Sequence, residues 1–206
     1  MNTNTLFDFD TAFDRKLDKL ENGITPQKIK IRTKIKFEDK MKREKVGELI
    51  DTLPEPGESL HIVSNGSFDY FTVIPHIIEM CGENVEDFYF STWTLSVTNV
   101  ASMLDMFDRG ILKNLNALTG DYMKTREANV YHSLLAGIKS RGQRIANNKN
   151  HSKVTLMKCG ENFCVVEGSA NFTANPRIEQ FVLTNHEGLF HFHKKWMEEI
   201  ISRYAQ

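Results

Sequence analysis

Short apolar runs alternate with longer amphipathic stretches from residue 58 to the end of the chain. The runs at residues 60–63, 88–90 and 111–118 predict buried strands, and a further strand is predicted at residues 177–184. Apolar residues at helical spacing predict helices at residues 70–80, 99–107, 126–139 and 189–204. Because strands that alternate with helices are typical of α/β folds, we predict a mixed, mainly parallel sheet with helices on both faces.

A break in this pattern separates the α/β region from the first part of the chain. Residues 54–57 have the sequence Pro-Glu-Pro-Gly, which is typical of a turn or linker. We therefore predict an N-terminal arm at residues 1–57 and one α/β domain at residues 58–206. Apolar residues at helical spacing predict a helix within the arm, namely Phe9, Phe13, Leu17 and Leu20.

Residues 28–37 of the arm alternate between cationic and apolar side chains, which predicts a strand with one charged face. Residues 28–45 hold nine Lys or Arg against three Asp or Glu, a net charge of +6, whereas the whole chain carries −1. Two interpretations stay open: lysines that protect a sheet edge from aggregation, or a track for the phosphate backbone of a nucleic acid. The cations of this face are Lys28, Lys30, Arg32, Lys34 and Lys36.

The composition fits a globular protein of the cytoplasm. With 206 residues and 40% hydrophobic content, the chain is long enough to bury one core. No apolar run approaches the roughly 20 residues that span a bilayer, and the first residues lack a signal-peptide pattern. The three cysteines do not have zinc-site spacing, which favours reduced thiols. We predict no metal, no cofactor and no association with a membrane.

A set of polar residues between positions 151 and 179 has the composition of a phosphodiester-cleaving site. His151-Ser152-Lys153 precedes a predicted hairpin, in which residues 154–157 and 163–166 pair across a turn at residues 160–162. The hairpin returns the segment Gly168-Ser169-Ala170-Asn171 to the level of His151. An imidazole can attack phosphorus, while an ammonium and neutral donors stabilise the charged oxygens. The carboxylate of Glu179 can hold the imidazole in its reactive tautomer.

These residues resemble the phospholipase D superfamily and its HKD motif. The resemblance is carried by His151, Lys153, the segment at residues 168–173, Asn175 and Glu179. It implies that His151 is the nucleophile and that Lys153, Ser169 and Asn171 bind the phosphoryl oxygens. Glu179 would then position His151. The Asp of the motif falls on position 158, where this chain has Lys158.

The chain contains a single copy of the motif, whereas the family's active site uses two. In such a site one His is the nucleophile and the other protonates the leaving group. The resemblance therefore implies a homodimer in which two copies of His151 meet at a twofold axis. Such a composite site would bind one phosphodiester.

Polar residues that follow predicted strands are further candidates for this site, because ligands of α/β sheets bind at the carboxyl ends of strands. For Ser64, Asn65 and Asp121 we favour a role in turns or helix caps. Trp93 is the best candidate of the group, since an aromatic side chain at the mouth of a site can stack on a nucleobase.

Two functions are consistent with these features. The first is a metal-independent phosphodiesterase, a nuclease, that works through a phosphohistidine at a composite homodimer site. The second is a catalytically weak or inactive nucleic-acid-binding module on the same scaffold, which Lys158 favours. A purely architectural subunit ranks last. The sequence leaves open whether the substrate is DNA, RNA or another phosphodiester.

Overall fold

The computed structural model describes residues 45–65, 68–173 and 177–206. The chain divides into two compact units, Met1–Met41 and Lys42–Gln206. The predicted arm helix and the basic strand of residues 28–37 lie outside the described residues. A short helix at residues 45–49 belongs to the second unit, and its Val46 is buried in the same core as the sheet. The domain boundary after residue 57 stays a prediction.

The elements of the second unit follow one another in the order that the hydrophobic pattern indicates. The strands and helices are β1 (Ser59–Ser64), α1 (Val73–Cys81), β2 (Val85–Thr92), α2 (Val97–Asp108), β3 (Leu115–Gly120), α3 (Asp121–Arg126), α4 (Ala128–Ser140), β4 (Arg144–Asn148), β5 (Val154–Cys159), β6 (Asn162–Gly168), β7 (Glu179–Asn185) and α5 (Glu187–Tyr204). A 3-10 turn at Tyr70–Thr72 precedes α1. The helices predicted between residues 58 and 206 and the predicted hairpin are therefore present, with ends shifted by a few residues.

Within the described part of the chain, seven strands form one sheet in the order β1-β7-β6-β5-β2-β3-β4. The mixed α/β class is confirmed, but the prediction of a mainly parallel sheet is wrong. Only the β2–β3 and β3–β4 pairs are parallel, whereas the other four pairs are antiparallel. A parallel pair needs a long crossover, and helices supply one between β1 and β2, between β2 and β3 and between β3 and β4. The crossover from β1 to β2 gives no parallel pair, because β7, β6 and β5 lie between these two strands. The strands after β4 follow one another without a helix.

Helices cover both faces of the sheet, as predicted. On one face, α1, α2 and α4 bury apolar side chains in the larger core, which includes Ile74, Met103 and Leu134. On the other face, α5 packs Phe190, Met197 and Ile201 against Tyr89, Leu156 and Val165. The alternation of side chains along each strand divides the apolar residues between these two layers.

Phe172 ties the segment after β6 to the larger core. Its ring is 1% exposed and lies 5.3 Å from the ring of Tyr70, 5.5 Å from Phe71 and 5.6 Å from Phe90, measured between centroids. The amide of Ser96 also donates to the carbonyl of Phe172. The loop that contains Ser169 and Asn171 is thus anchored by one aromatic side chain.

We expect Phe172→Ala to lower the free energy of unfolding by about 3–5 kcal/mol, because it leaves a cavity among three aromatic rings. Phe192→Ala is the matched control, since the ring of Phe192 is 64% exposed, and we expect it to change stability by less than about 0.5 kcal/mol. Urea unfolding monitored by circular dichroism measures both variants. Equal losses for the two would contradict this account of the core.

His193 is buried on α5 between two fixed partners. The Nε1–H of Trp196 donates to Nδ1 at 3.0 Å, and Nε2 lies 3.2 Å from Oε1 of Glu167. Because Nδ1 accepts, the neutral ring carries its proton on Nε2, toward Glu167. Burial lowers the pKa of His193, and the charge of Glu167 opposes this effect.

The lowered pKa of His193 predicts a loss of stability in acid. The unfolded chain binds the proton first, so stability falls as the pH drops from about 6.5 toward the lowered pKa. We expect His193→Gln to remove this contribution, which is at most about 1.4 kcal/mol per pH unit. Unfolding free energies between pH 5 and 7.5 test this. His191→Gln, at an exposed position of α5, should keep the wild-type slope; an unchanged slope in His193→Gln would refute the prediction.

Candidate active site

The candidate residues meet at one edge of the sheet. β2, β3 and β4 end at this edge, and β5 begins there, because Ser91 pairs with Val154 and Gly120 pairs with Asn148. The segment of residues 149–153 crosses the edge between β4 and β5. At the same level the amide of Gly168, at the end of β6, donates to the carbonyl of Lys153 at 3.3 Å. The hairpin therefore brings the two halves of the motif side by side.

His151 and Lys153 are in direct contact. The imidazole of His151 is exposed, whereas Lys153 is only 8% exposed. The Nζ of Lys153 lies 3.1 Å from Nδ1 of His151 and donates to the carbonyl of His151 at 2.7 Å. An ammonium only donates, so Nδ1 accepts and the neutral ring carries its proton on Nε2. Burial lowers the pKa of Lys153, and the charge of Glu179 counteracts this effect.

Ser169 and Glu179 form a second pair on the other side of the hairpin. The hydroxyl of Ser169 donates to the carboxylate of Glu179 and accepts from the amide of Gln180 at 3.1 Å. Gly168 fits closely against β7, because a Cβ at this position would lie 2.4 Å from the carbonyl oxygen of Gln180. The carboxylate of Glu179 thus binds Ser169 and acts electrostatically on Lys153. Its predicted role in positioning His151 stays a prediction.

Asn171 lies at the end of β2. Its Oδ1 accepts from the hydroxyl of Thr92 at 3.4 Å, and the next residue, Phe172, forms a bridge with Leu95. The amide group of Asn171 is half-buried. His151, Lys153, Ser169 and Asn171 therefore lie on the two segments that flank the start of β5 and the end of β6, and Glu179 joins them from the start of β7. This arrangement places an exposed imidazole, a cation and neutral donors at one sheet edge.

A polar network that the sequence analysis missed holds the His151 segment on β2. The hydroxyls of Ser152 and Ser91 are 2.6 Å apart, and the Nδ2 of Asn150 donates to Ser91 at 2.9 Å. The Oδ1 of Asn150 accepts from the amide and the hydroxyl of Ser152. The available signal in the sequence was a serine at the end of an apolar strand. In the structure Ser91 is 1% exposed, so its hydroxyl is buried with these partners.

An aromatic row extends from His151 across the ends of β2 and β3. The ring of Trp93 lies 5.3 Å from the imidazole of His151, at an interplanar angle of 49°. Tyr122 stacks on Trp93, with centroids 4.0 Å apart and an angle of 29°. The structure thus places Trp93 next to His151. Tyr122 was missed because its nearness to Trp93 depends on the pairing of β2 with β3.

Lys158 lies at the opposite end of β5 from the candidate site. It is five residues from Lys153, about 17 Å along a strand. Lys158 pairs across the sheet with Asp87, donates to the carbonyl of Gly160 and covers the ring of Phe163 at 4.4 Å. A carboxylate at position 158 would face Asp87, and like charges directly opposite each other are destabilising. The departure from the motif therefore concerns the far end of the hairpin.

The remaining candidate residues are on the arm. Lys28, Lys30, Arg32, Lys34 and Lys36 lie outside the described residues, so their role in nucleic-acid binding stays a prediction. Among the residues that are described, no group of three or more His, Cys, Asp or Glu is arranged to hold a metal ion. None of the described helices combines the length and apolar character that a membrane crossing requires.

Comparison with known proteins gives matches of fold alone. No family model and no curated protein matches the chain. The structure resembles Nuc from Salmonella typhimurium, a phospholipase D family member, with a TM-score of 0.52 and 15% identity over 72% of this chain and 97% of Nuc. It also resembles NucT from Helicobacter pylori, with a TM-score of 0.53 and 12% identity over 72% and 99% of the two chains.

A third similar structure is that of a DNA-binding protein. TrmBL2, an archaeal chromatin protein with a novel mode of DNA binding, matches with a TM-score of 0.50 and 12% identity. The match covers 98% of this chain and 69% of TrmBL2. The likeness to Nuc and NucT shows that the protein has a phospholipase D-like fold.

The electrostatic interaction between Glu179 and Lys153 yields a direct test. Because the carboxylate of Glu179 raises the pKa of Lys153 against the effect of burial, we expect Glu179→Gln to lower that pKa further. Titration of the Lys153 side chain by nuclear magnetic resonance measures the change, with Lys153→Met to assign the signal. Glu161→Gln, in the exposed turn between β5 and β6, is the control and should leave the pKa unchanged. An unchanged or higher value in Glu179→Gln would show that Glu179 does not act on Lys153.

Proposed function

We propose that the protein is a metal-independent phosphodiesterase, a nuclease, that works through a phosphohistidine at a composite homodimer site. The observation that carries the proposal is the contact between His151 and Lys153. An exposed imidazole lies 3.1 Å from a nearly buried ammonium, next to the segment that holds Ser169 and Asn171. Nucleophile, cation and donors thus occur together on a phospholipase D-like fold.

In the proposed reaction, an imidazole nitrogen of His151 attacks phosphorus. A P–N bond forms and the P–O bond to the leaving group breaks. The partner subunit's His151 protonates the leaving oxygen. Water then attacks the phosphohistidine and gives a proton to the partner subunit's His151, a P–O bond replaces the P–N bond, and the products are an alcohol and a phosphomonoester. Lys153, Ser169 and Asn171 stabilise the charge on the phosphoryl oxygens during both steps.

Lys153 has to exchange partners for this reaction to begin. Its ammonium donates to Nδ1 of His151, which occupies a lone pair of the ring. An anionic phosphoryl oxygen is a stronger acceptor for an ammonium than a neutral imidazole is, because the attraction between opposite charges adds to the hydrogen bond. Binding of a phosphodiester therefore draws Lys153 to the substrate and releases the ring for attack.

The homodimer follows from the number of imidazoles that the reaction needs. The chain supplies one motif, so the nucleophile and the general acid come from different subunits. The exposed position of His151 at the sheet edge supports this arrangement, since a second copy can approach it. A twofold interface makes the two half-sites equivalent.

Nucleic acid is the substrate class that the neighbouring groups favour. Trp93 lies beside His151 and can stack on a base, and the arm carries Lys28, Lys30, Arg32, Lys34 and Lys36, which suit a phosphate backbone. The DNA binding described for TrmBL2 agrees with this class. The thiols of Cys81, Cys159 and Cys164 are free, which suits a reducing compartment, and we therefore place the protein in the cytoplasm.

The second candidate is a catalytically weak or inactive nucleic-acid-binding module. Lys158 and the similarity to TrmBL2 favour it. We rank it second because Lys158 lies about 17 Å from Lys153 along β5. The substitution therefore leaves the groups around His151 in place.

We expect His151→Ala to reduce EDTA-resistant cleavage of labelled DNA or RNA by at least about 1,000-fold, because it removes the nucleophile. Rapid quenching and mass spectrometry should detect phosphohistidine at residue 151 of the wild type. His191→Ala, which alters an exposed His of α5, is the control and should retain activity. Purified heterodimers of wild type and His151→Ala should lose nearly all activity; half the activity would contradict a shared site.

The binding module has a distinct outcome in the same experiments. It requires that the wild type cleaves none of the substrates while it binds them in a salt-dependent manner. Binding would survive His151→Ala and weaken when Lys30, Arg32 and Lys34 are neutralised together. This result would overturn the catalytic proposal.

A further inference from the structure

The aromatic row beside His151 ends on an accessible ring. Trp93 separates Tyr122 from His151, with centroid distances of 4.0 Å to Tyr122 and 5.3 Å to His151. Tyr122 is 36% exposed and Trp93 is half-buried. The row therefore runs outward from the proposed nucleophile to a ring that solvent reaches.

The sheet fixes the position of this row. Trp93 directly follows β2, Tyr122 is the second residue of α3, and β2 and β3 are adjacent parallel strands. Gly120 connects β3 to α3, and a Cβ there would lie 2.8 Å from Cδ1 of Trp93 and 2.7 Å from the carbonyl oxygen of Asn150. The glycine thus allows the indole to lie against the strand end, close to the His151 segment. A surface that is fixed in this way loses little entropy when a ligand binds.

Cations accompany the aromatic pair. Lys124 and Arg126 are exposed on α3, and Lys149 is exposed just after β4, at the same edge of the sheet. One acid, Asp121, is exposed next to Tyr122. Aromatic rings beside cations are typical of surfaces that bind single-stranded nucleic acids, where bases stack and phosphates contact Lys or Arg.

We infer that Tyr122 and Trp93 form a stacking platform for an unpaired base next to the phosphodiester that His151 attacks. The inference rests on the proposed function and names its substrate class as single-stranded nucleic acid. A base in a duplex is already stacked and paired, so moving it onto the platform requires that it first be unstacked and unpaired. A base in a single strand is free to stack, which gains about 1–3 kcal/mol per base. Tyr122 is then a specificity-determining residue.

A structural role for the pair predicts something different. If Tyr122 only supports Trp93 and His151, its loss would reduce turnover on every substrate alike. If it stacks on a base, its loss weakens binding only where a base is present. An oligonucleotide that lacks bases therefore separates the two roles.

The test compares two probes of equal length and charge, an oligothymidylate of about 12 nucleotides and the same backbone with abasic residues. Affinities are measured by fluorescence anisotropy in a His151→Asn background, so that cleavage does not interfere. We expect Tyr122→Ala to weaken binding of the oligothymidylate roughly 5- to 100-fold and to leave binding of the abasic probe unchanged. Tyr122→Phe should retain affinity, and Phe192→Ala, on an exposed face of α5, should have no effect.

Kinetics of the cleaving protein complete the test. With His151 present, Tyr122→Ala should raise KM for single-stranded substrate and reduce the preference for single over double strands. Equal affinity of Tyr122→Ala for the oligothymidylate, equal losses for both probes, or failure of the parent protein to bind either probe would overturn the platform. Absence of cleavage together with a base-dependent loss in Tyr122→Ala would instead overturn the catalytic proposal and leave the platform standing.

Discussion

The pairing register of β5 with β6 is the constraint on which the candidate site depends. Val154 pairs with Glu167, so the residues just before β5 and just after β6 lie at the same level. A shift by one residue would turn every side chain to the other face of the sheet. Two features oppose such a shift: a two-residue connection with Gly160 at a φ of 53°, and the close fit of Gly168 against Phe181. The segments that contain His151 and Ser169 lie side by side only in this register.

The residues next to the start of β5 form a charged site, in which Lys153 and Glu179 interact, rather than a deep cavity. Lys153 is nearly buried, which weakens its hydration, while Glu179 favours its charged form. A weakly hydrated cation interacts more strongly with an anion than a fully solvated one does. The same ammonium contacts His151, so in the proposed reaction its attraction to a phosphate and the release of the imidazole would be one event. The polar contacts of Ser91 and Asn150 hold the segment on β2 and would keep it in place during this exchange.

Patterns of neighbouring residues in the sequence predicted the local elements of this structure, whereas contacts between distant residues could not be predicted in this way. The hairpin was predictable because its two strands and its turn are consecutive, and α5 because its apolar residues recur along one face. The pairing of β1 with β7 was not, since Ser59 and Thr184 meet across the whole domain. It is one of four antiparallel pairs in a sheet that was predicted to be mainly parallel. In the same way, Trp93 was identified from its place after a strand. Tyr122 was missed because only the tertiary structure stacks it on Trp93.

Lys158 also has to be judged by its position in the folded protein rather than by its spacing in the sequence. A motif along one strand combines residues that act at one end with residues that stabilise the other, and sequence spacing does not separate them. Here the candidate residues His151 and Lys153 lie before β5, whereas position 158 faces Asp87 near the distal turn. Asp87 also pairs with Lys194 of α5 at 2.5 Å, so this end of the sheet already contains a carboxylate between two lysines. Lys158 therefore fits its own surroundings, because an Asp there would oppose Asp87, and it leaves the groups around His151 in place.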